Sequence, residues 1–298
     1  MPSKRIATTA GILALLLPCL VQGQGVFSAP RLTASLTWTD NISHTSHLPT
    51  LKSGEYQTVS LTTDYTRQLT RNWLLLGTGE LQVQHVDTFS ALNHFAGTGT
   101  VKLQRKFGLG AFAPVLQINS ALAIARFDET RRSGWQYTGG FGLSKRLTES
   151  LSVAANAAVN EYFAQRPVYD VSTRKITLEG DWDITSRWRL SLGGSRTWGQ
   201  YVANADPAIW PLAIGGQLGP VIETHYNTLA WEVTDSFGPG WVAYRNRDSH
   251  ADAWWAELSP ALTDRTSLSL RYEFVRITNA VGIKYNSAYW TAGVTHQF

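Results

Sequence analysis

Apolar and polar positions alternate with a period of two through most of this chain. Leu32, Ala34, Leu36 and Trp38 alternate with Thr33, Ser35, Thr37 and Thr39. Val59, Leu61 and Tyr65 oppose Thr58, Ser60, Thr62 and Asp64. The rhythm returns in Leu151, Val153, Ala155, Ala157 and Val159 and in Leu268, Leu270, Tyr272 and Phe274. It also closes the chain, where Trp290, Ala292, Val294, His296 and Phe298 share one face. Successive side chains of a strand point to opposite faces, so each segment predicts a strand with one apolar and one polar side. Reading from Pro30 onward gives about 14 such segments, with roughly 12–16 as the range. Leu229, Trp231 and Val233, and the less regular segment 241–248, are counted among them.

The links between segments fall into two classes. Thr70-Arg71-Asn72, Thr148-Glu149-Ser150, Thr185-Ser186, Gly238-Pro239-Gly240 and Thr263-Asp264-Arg265 are short and made of turn formers. The segments 43–54, 87–93, 128–133, 165–170, 203–220 and 279–284 are longer. Short turns at one end and long loops at the other predict an up-and-down arrangement. The expected fold is all-β, a single transmembrane antiparallel β-barrel. Closure follows from the solvent, because unpaired backbone N–H and C=O groups are not tolerated in hydrocarbon. An even strand number puts both termini at one end, the periplasmic one if the long loops face outward.

The N-terminus follows a different rule. Lys4 and Arg5 precede the apolar run Ile12-Leu13-Ala14-Leu15-Leu16-Leu17, and Val21 and Gly23 suit a cleavage site. This predicts a secretory signal peptide over 1–23, a short segment over 24–29 and a barrel over 30–298. Removing 1–23 would take with it the only Cys, Cys19, so no thiol chemistry is expected. The loss of Lys4 and Arg5 also lowers the formal net charge of +4 by two. So modest a charge argues against a nucleic-acid partner.

Composition sharpens the membrane reading. Charged residues make up 16% of the chain, against roughly 25% in soluble domains. That is too few to coat a conventional wet surface. The 12 Trp and 11 Tyr suit aromatic girdles at the two membrane interfaces. Trp38, Trp73, Trp135, Trp188, Trp241 and Trp254 fall near predicted strand ends.

Little catalytic chemistry stands out. His44-Thr45-Ser46-His47 and Asp248-Ser249-His250-Ala251-Asp252 have the composition of hydrolytic or metal sites, but polar loop decoration explains both more simply. No cofactor motif and no enzymatic activity are expected. The polar faces are more telling. They place Asp64, Glu80, Lys102, Glu179, Asp181, Arg189, Glu232, Arg271 and Glu273 toward the lumen, with the two signs nearly balanced. Such a lining predicts either a charge-paired barrel or an aqueous pore whose field acts on solutes. The 203–220 link is unusually apolar for a loop. Its Ile209, Trp210, Leu212 and Ile214 are expected to fold inward and gate the lumen.

Two features carry a family resemblance. Trp38-Thr39-Asp40-Asn41-Ile42 resembles the aromatic-x-Asp-Asn-aliphatic stretch of the β-barrel porin families. The terminal Phe298 resembles the C-terminal insertion signal of bacterial outer-membrane barrels, although His296 stands where an aromatic residue is often found. The resemblance implies the outer membrane of a Gram-negative bacterium, with lipid and the barrel-assembly machinery as partners. It also implies passive diffusion of small hydrophilic solutes, and it carries over no catalytic residues. The competing expectation is a non-conducting interaction barrel, an adhesin or a component of an export or assembly machine.

Overall fold

The computed structural model describes residues 25–212, 217–282 and 284–298. The expected signal peptide and Ile214 lie outside these residues. Twelve antiparallel strands form the wall. In chain order they are β2 (Arg31–Thr39), β3 (Gly54–Thr70), β4 (Trp73–Val86), β5 (His94–Lys106), β6 (Val115–Phe127) and β7 (Gly134–Arg146). There follow β8 (Leu151–Ala164), β9 (Val171–Thr185), β10 (Trp188–Gly199), β14 (Ser249–Pro260), β15 (Thr266–Thr278) and β16 (Lys284–Gln297). Each pairs with its neighbours, and β16 closes the ring on β2 from Gln297↔Arg31 to Tyr289↔Thr39. Closure leaves the wall without an edge, as a hydrocarbon surrounding demands. A two-residue strand, β1 (Val26–Phe27), pairs with β3 at Thr66 and Tyr65, beyond the end of β2.

The wall's outer face is the apolar one. Leu178 is 62% exposed, Phe141 60% and Trp290 57%, with Val59, Leu61, Leu81 and Ile118 in the same position. A continuous exposed belt of this kind is unfavourable in water and suits lipid. Trp38, Trp188 and Trp254 lie in that exposed set.

The tight turns share one device. At four of them a threonine hydroxyl accepts the backbone N–H two residues on. These are Thr70 from Asn72, Thr148 from Ser150, Thr185 from Arg187 and Thr263 from Arg265. A hydroxyl of this kind stands in for a missing ladder bond and fixes the bend. Pro30 and Phe298 sit at this same end of the barrel, where the Phe298 N–H donates to the Pro30 carbonyl at 3.1 Å.

Twelve wall strands fall within the expected range but below its centre, and the difference has one cause. The segments around 229–233 and 241–248 are not in the wall. They form β12 (Thr228–Thr234) and β13 (Trp241–Asn246), which pair with β11 (Val202–Ala205) in a separate sheet of order β11-β13-β12. Consequently the Gly238-Pro239-Gly240 turn lies at the long-loop end rather than among the short turns. Trp241 is not a girdle residue either. It is 3% exposed and packs with Phe237, Val86 and Ile42.

Candidate functional site

The connection from β10 to β14 spans 200–248 and is far longer than any other. Besides its three strands it carries a 3-10 turn, Pro207–Leu212, and a helix, Leu218–Tyr226. The helix stops at Asn227, which takes the left-handed conformation (φ 51°) that Asn tolerates better than most residues. Ile209, Leu218, Ile222, Val242 and Tyr244 form one buried cluster with Ala203 and Ala205. Tyr226 stacks on Tyr244 at 4.4 Å between ring centres. The cluster continues into the wall through Ala251, Ile277 and Tyr285, so the connection is packed onto the barrel as a small lid.

The lid touches all five other connections at its end of the barrel. The Asn204 side chain donates to the Ser43 carbonyl at 2.6 Å, and His47 Nδ1 meets Asp206 Oδ2 at 2.5 Å. Thr50 also donates to Asp206. The Phe237 ring meets Phe89 at 5.2 Å. Arg131 pairs with Glu232 at 3.3 Å, and Ser236 donates to Glu129. Arg245 pairs with Asp170 at 3.6 Å. The Asn279 amide donates to the Tyr226 carbonyl at 3.2 Å. In the ring of wall strands, the β4–β5 link that carries Phe89 lies diametrically opposite the lid's own roots on β10 and β14. A segment that reaches both must cross the mouth.

The anchoring groups are electrostatically settled. Burial pushes Glu129 up, but Ser236, Arg132 and Arg131 outweigh it and hold the carboxyl below the usual range. Burial likewise opposes the Asp206 charge, while bonds from Thr50, the Ala208 N–H and His47 keep it low. His44 is lowered to about 4 by burial and by the nearby Arg132 charge. Its ring stacks on Tyr285 at 5.8 Å, and its Nε2 faces the Tyr289 hydroxyl at 3.3 Å. His44 and His47 are thus engaged with separate partners on the wall and the lid. In the second candidate stretch, 248–252, Asp252 faces Arg196 at 3.6 Å. Among the described residues no three His, Cys, Asp or Glu side chains gather around a common point.

The structure spreads the expected lumen residues along the wall. Asp64, Glu80, Lys102, Glu179, Asp181, Arg189, Arg271 and Glu273 all lie on the strand face opposite the exposed apolar one. Glu232 does not share that wall, because it sits on the lid strand β12. Several of these charges are paired. Arg31 meets Asp64 at 3.1 Å, and Arg189 meets Asp183 at 2.7 Å. Arg271 bridges Glu273 at 2.8 Å and Glu257 at 3.4 Å. Glu80, Lys102 and Glu179 have no ion-pair partner among the described residues. One inward residue stands out for its size. Trp255 lies flat over Gly193, where an added Cβ would come within 2.1 Å of the ring, and the Arg271 guanidinium sits 5.0 Å from its centre.

Of the four residues expected to gate the lumen, Ile209 is buried in the lid core. Trp210 and Leu212 are exposed, and the Trp210 indole donates to the Gly240 carbonyl at 2.7 Å. The unit that crosses the mouth is thus the whole connection rather than the 203–220 stretch alone.

No protein-family model matches the chain, and no curated protein matches it by sequence. Solved structures do. An outer membrane channel from Pseudomonas putida F1 aligns with a TM-score of 0.56 at 11% identity, over 91% of this chain and 96% of that chain. The NanC porin aligns at 0.45 and 8% identity, over 90% of this chain and 100% of that one. The KdgM porin aligns at 0.43 and 9% identity, over 90% and 99%. At such low identity the first of these shows a shared fold, a closed barrel built like that of an outer-membrane channel.

Proposed function

We propose that this protein is an outer-membrane channel for small hydrophilic solutes, weakly selective, with one mouth regulated by a lid. The observation that carries this reading is the lid's span: it is rooted at β10 and β14 and packs against Phe89 on the far side of the ring. A structured segment across the mouth gives such a barrel a means to control what passes. The polar inner face, with Thr, Ser, Gln and mixed charges, supports an aqueous path below it. The lid end faces outward and both termini face the periplasm in this reading. Membrane lipid surrounds the apolar belt, and Phe298 is the signal read by the barrel-assembly machinery.

Planar-bilayer recording tests the proposal. The full chain is compared with a variant in which 200–248 is replaced by a short turn, both checked for folding by heat-modifiable gel mobility. The expected result is low or flickering conductance in the full chain and steady, larger conductance in the variant. Two folded but silent proteins would overturn it.

A second reading has one observation in its favour. Trp210 and Leu212 expose apolar surface on the lid, at 41% and 54%. A non-conducting interaction barrel, an adhesin or a component of an export or assembly machine, would use such a surface for docking. The silent outcome above favours it.

A further inference from the structure

On four neighbouring wall strands the apolar belt ends abruptly at the lid end. The outward-facing positions within 176–184 of β9, 188–194 of β10, 254–258 of β14 and 266–274 of β15 carry no charge. A tilted strand crosses hydrocarbon in about 9–11 residues, so these stretches match the belt. One outward step nearer the lid, all four strands turn ionic, at Arg174, Arg196, Asp252 and Arg276, and all four side chains are exposed. Such charges are costly in hydrocarbon, so this row lies at headgroup level.

Strand register gathers the row into one patch. Arg196 stands opposite Asp252, and Asp252 opposite Arg276. Arg174 stands opposite Trp198 and so is diagonal to Arg196. Successive arginines are thus about 7–10 Å apart along the wall, a gap their long side chains can close over one headgroup. Arg196 Nε lies 3.6 Å from Asp252 Oδ1, and its guanidinium is 5.7 Å from the Trp198 ring centre. Arg174 and Arg276 have no ion-pair partner among the described residues. The other acid nearby, Glu161 on β8, accepts from the Ser172 hydroxyl at 2.7 Å. With both acids counted the patch keeps a net positive charge. It is not part of a basic collar, because β3, diametrically opposite β9, carries Glu55 outward at this end.

The position of the patch selects its ligand. A guanidinium matches phosphate in a bidentate way and is only weakly hydrated. Directly below the arginines, Ile176, Leu178, Leu192 and Trp254 are at least half exposed and offer a surface for acyl chains. A free anion would use the arginines and leave that surface aside. An amphiphile uses both. We infer that the outer face of β9, β10, β14 and β15 holds one membrane lipid with an anionic phosphate headgroup, bound by Arg174, Arg196 and Arg276. Its acyl chains lie along Ile176, Leu178 and Leu192. The inference rests on the lipid belt of the reading above and is independent of conduction.

Native mass spectrometry of the refolded full chain, released from detergent, tests this. The probes are phosphatidylglycerol, diphosphorylated lipid A, phosphatidylcholine and inorganic phosphate. One anionic lipid is expected to stay on each barrel. Phosphatidylcholine, whose choline cancels the phosphate charge, should be retained at least about tenfold less, and inorganic phosphate not at all. Whichever anionic lipid is held more tightly identifies the source, and either result supports the site. The double variant Arg174→Gln, Arg276→Gln should lower retention about tenfold or more. Arg105→Gln, an outward arginine beside the Trp73 and Phe107 rings at the short-turn end, should leave it unchanged. Heat-modifiable mobility confirms folding of both variants. Equal retention of phosphatidylcholine or of inorganic phosphate, unchanged retention in the double variant, or an equal loss in Arg105→Gln would overturn the inference. Because binding is read without conductance, a conducting barrel that retains no anionic lipid fails this inference alone. A silent barrel that retains one fails the channel reading alone.

Discussion

Phe89 and Phe237 meet edge to face, 5.2 Å between ring centres, although their elements are rooted on opposite sides of the barrel. Their contact is the far anchor of the lid, and Phe237 is 6% exposed there. Burial of such a ring contributes about 2 kcal/mol. Phe237→Ala should therefore shift the lid equilibrium toward release by roughly thirtyfold. More frequent openings in single-channel traces, with unchanged full-open conductance, are the expected readout. Traces indistinguishable from the unaltered protein would mean the contact holds nothing shut.

Glu129, which anchors the lid, and His44, whose ring is held by the wall while its carbonyl accepts the Asn204 N–H, make the lid sensitive to acid in separate windows. His44 is lowered from 6.5 to about 4, chiefly by burial. The unfolded or released form takes up a proton first as pH falls, so His44's contribution is present above 6.5 and is lost on the way to about 4. Glu129 is also lowered, so its contribution is present above the ordinary carboxylate value and is lost only at more acidic pH. Openings should thus increase in two steps as pH is lowered. His44→Gln should remove the upper step and Glu129→Gln the lower. A single step that survives both substitutions would place the sensitivity elsewhere.

The barrel was legible in the sequence because lipid and lumen impose opposite demands on neighbouring residues. Leu36 and Thr37 answer those demands as directly as Val294 and Thr295 do. The lid was not legible from the same signal. Leu229, Trp231 and Val233 alternate against Thr228, Glu232 and Thr234, and a half-buried lid strand has the same period as a membrane strand. The distinguishing mark lies one strand later. Trp241, Val242, Ala243 and Tyr244 are all buried, and an unbroken apolar run marks a strand covered on both faces. The inward Trp255 follows from alternation, but its contact with Gly193 depends on a strand pairing that no local pattern reveals. A cavity between the lid and the wall assembles residues from 39 to 289 and has no local signature.

Gly193 and Trp255 face each other across β10 and β14. An added side chain at Gly193 has no room, since its Cβ alone would lie 2.1 Å from the indole. Gly193→Val should force Trp255 off the wall and into the lumen. The expected results are a lower open-channel conductance and a stability loss of about 1–3 kcal/mol. Gly180→Ala, where a Cβ meets its nearest neighbour at 3.8 Å, serves as the control and should change neither. Equal effects from the two substitutions would count against a lumen role for Trp255.

Phe298 separates assembly from stability. Its side chain is 60% exposed on the barrel, and the only ring it meets among the described residues is that of His296, edge to face at 5.2 Å, while the backbone bond to the Pro30 carbonyl at 3.1 Å is one any residue would keep. An exposed ring of this kind adds less than about 1 kcal/mol to the folded state. Phe298→Ala should therefore leave the denaturation midpoint of the refolded barrel almost unchanged. If the terminal aromatic is the signal read during insertion, the same substitution should sharply reduce the barrel recovered in the outer-membrane fraction of expressing cells. A chase experiment should then show the precursor processed but slow to become heat-modifiable. Normal accumulation with an unchanged midpoint would strip Phe298 of any assembly role. A large drop in the midpoint would instead make it a structural residue of the last strand.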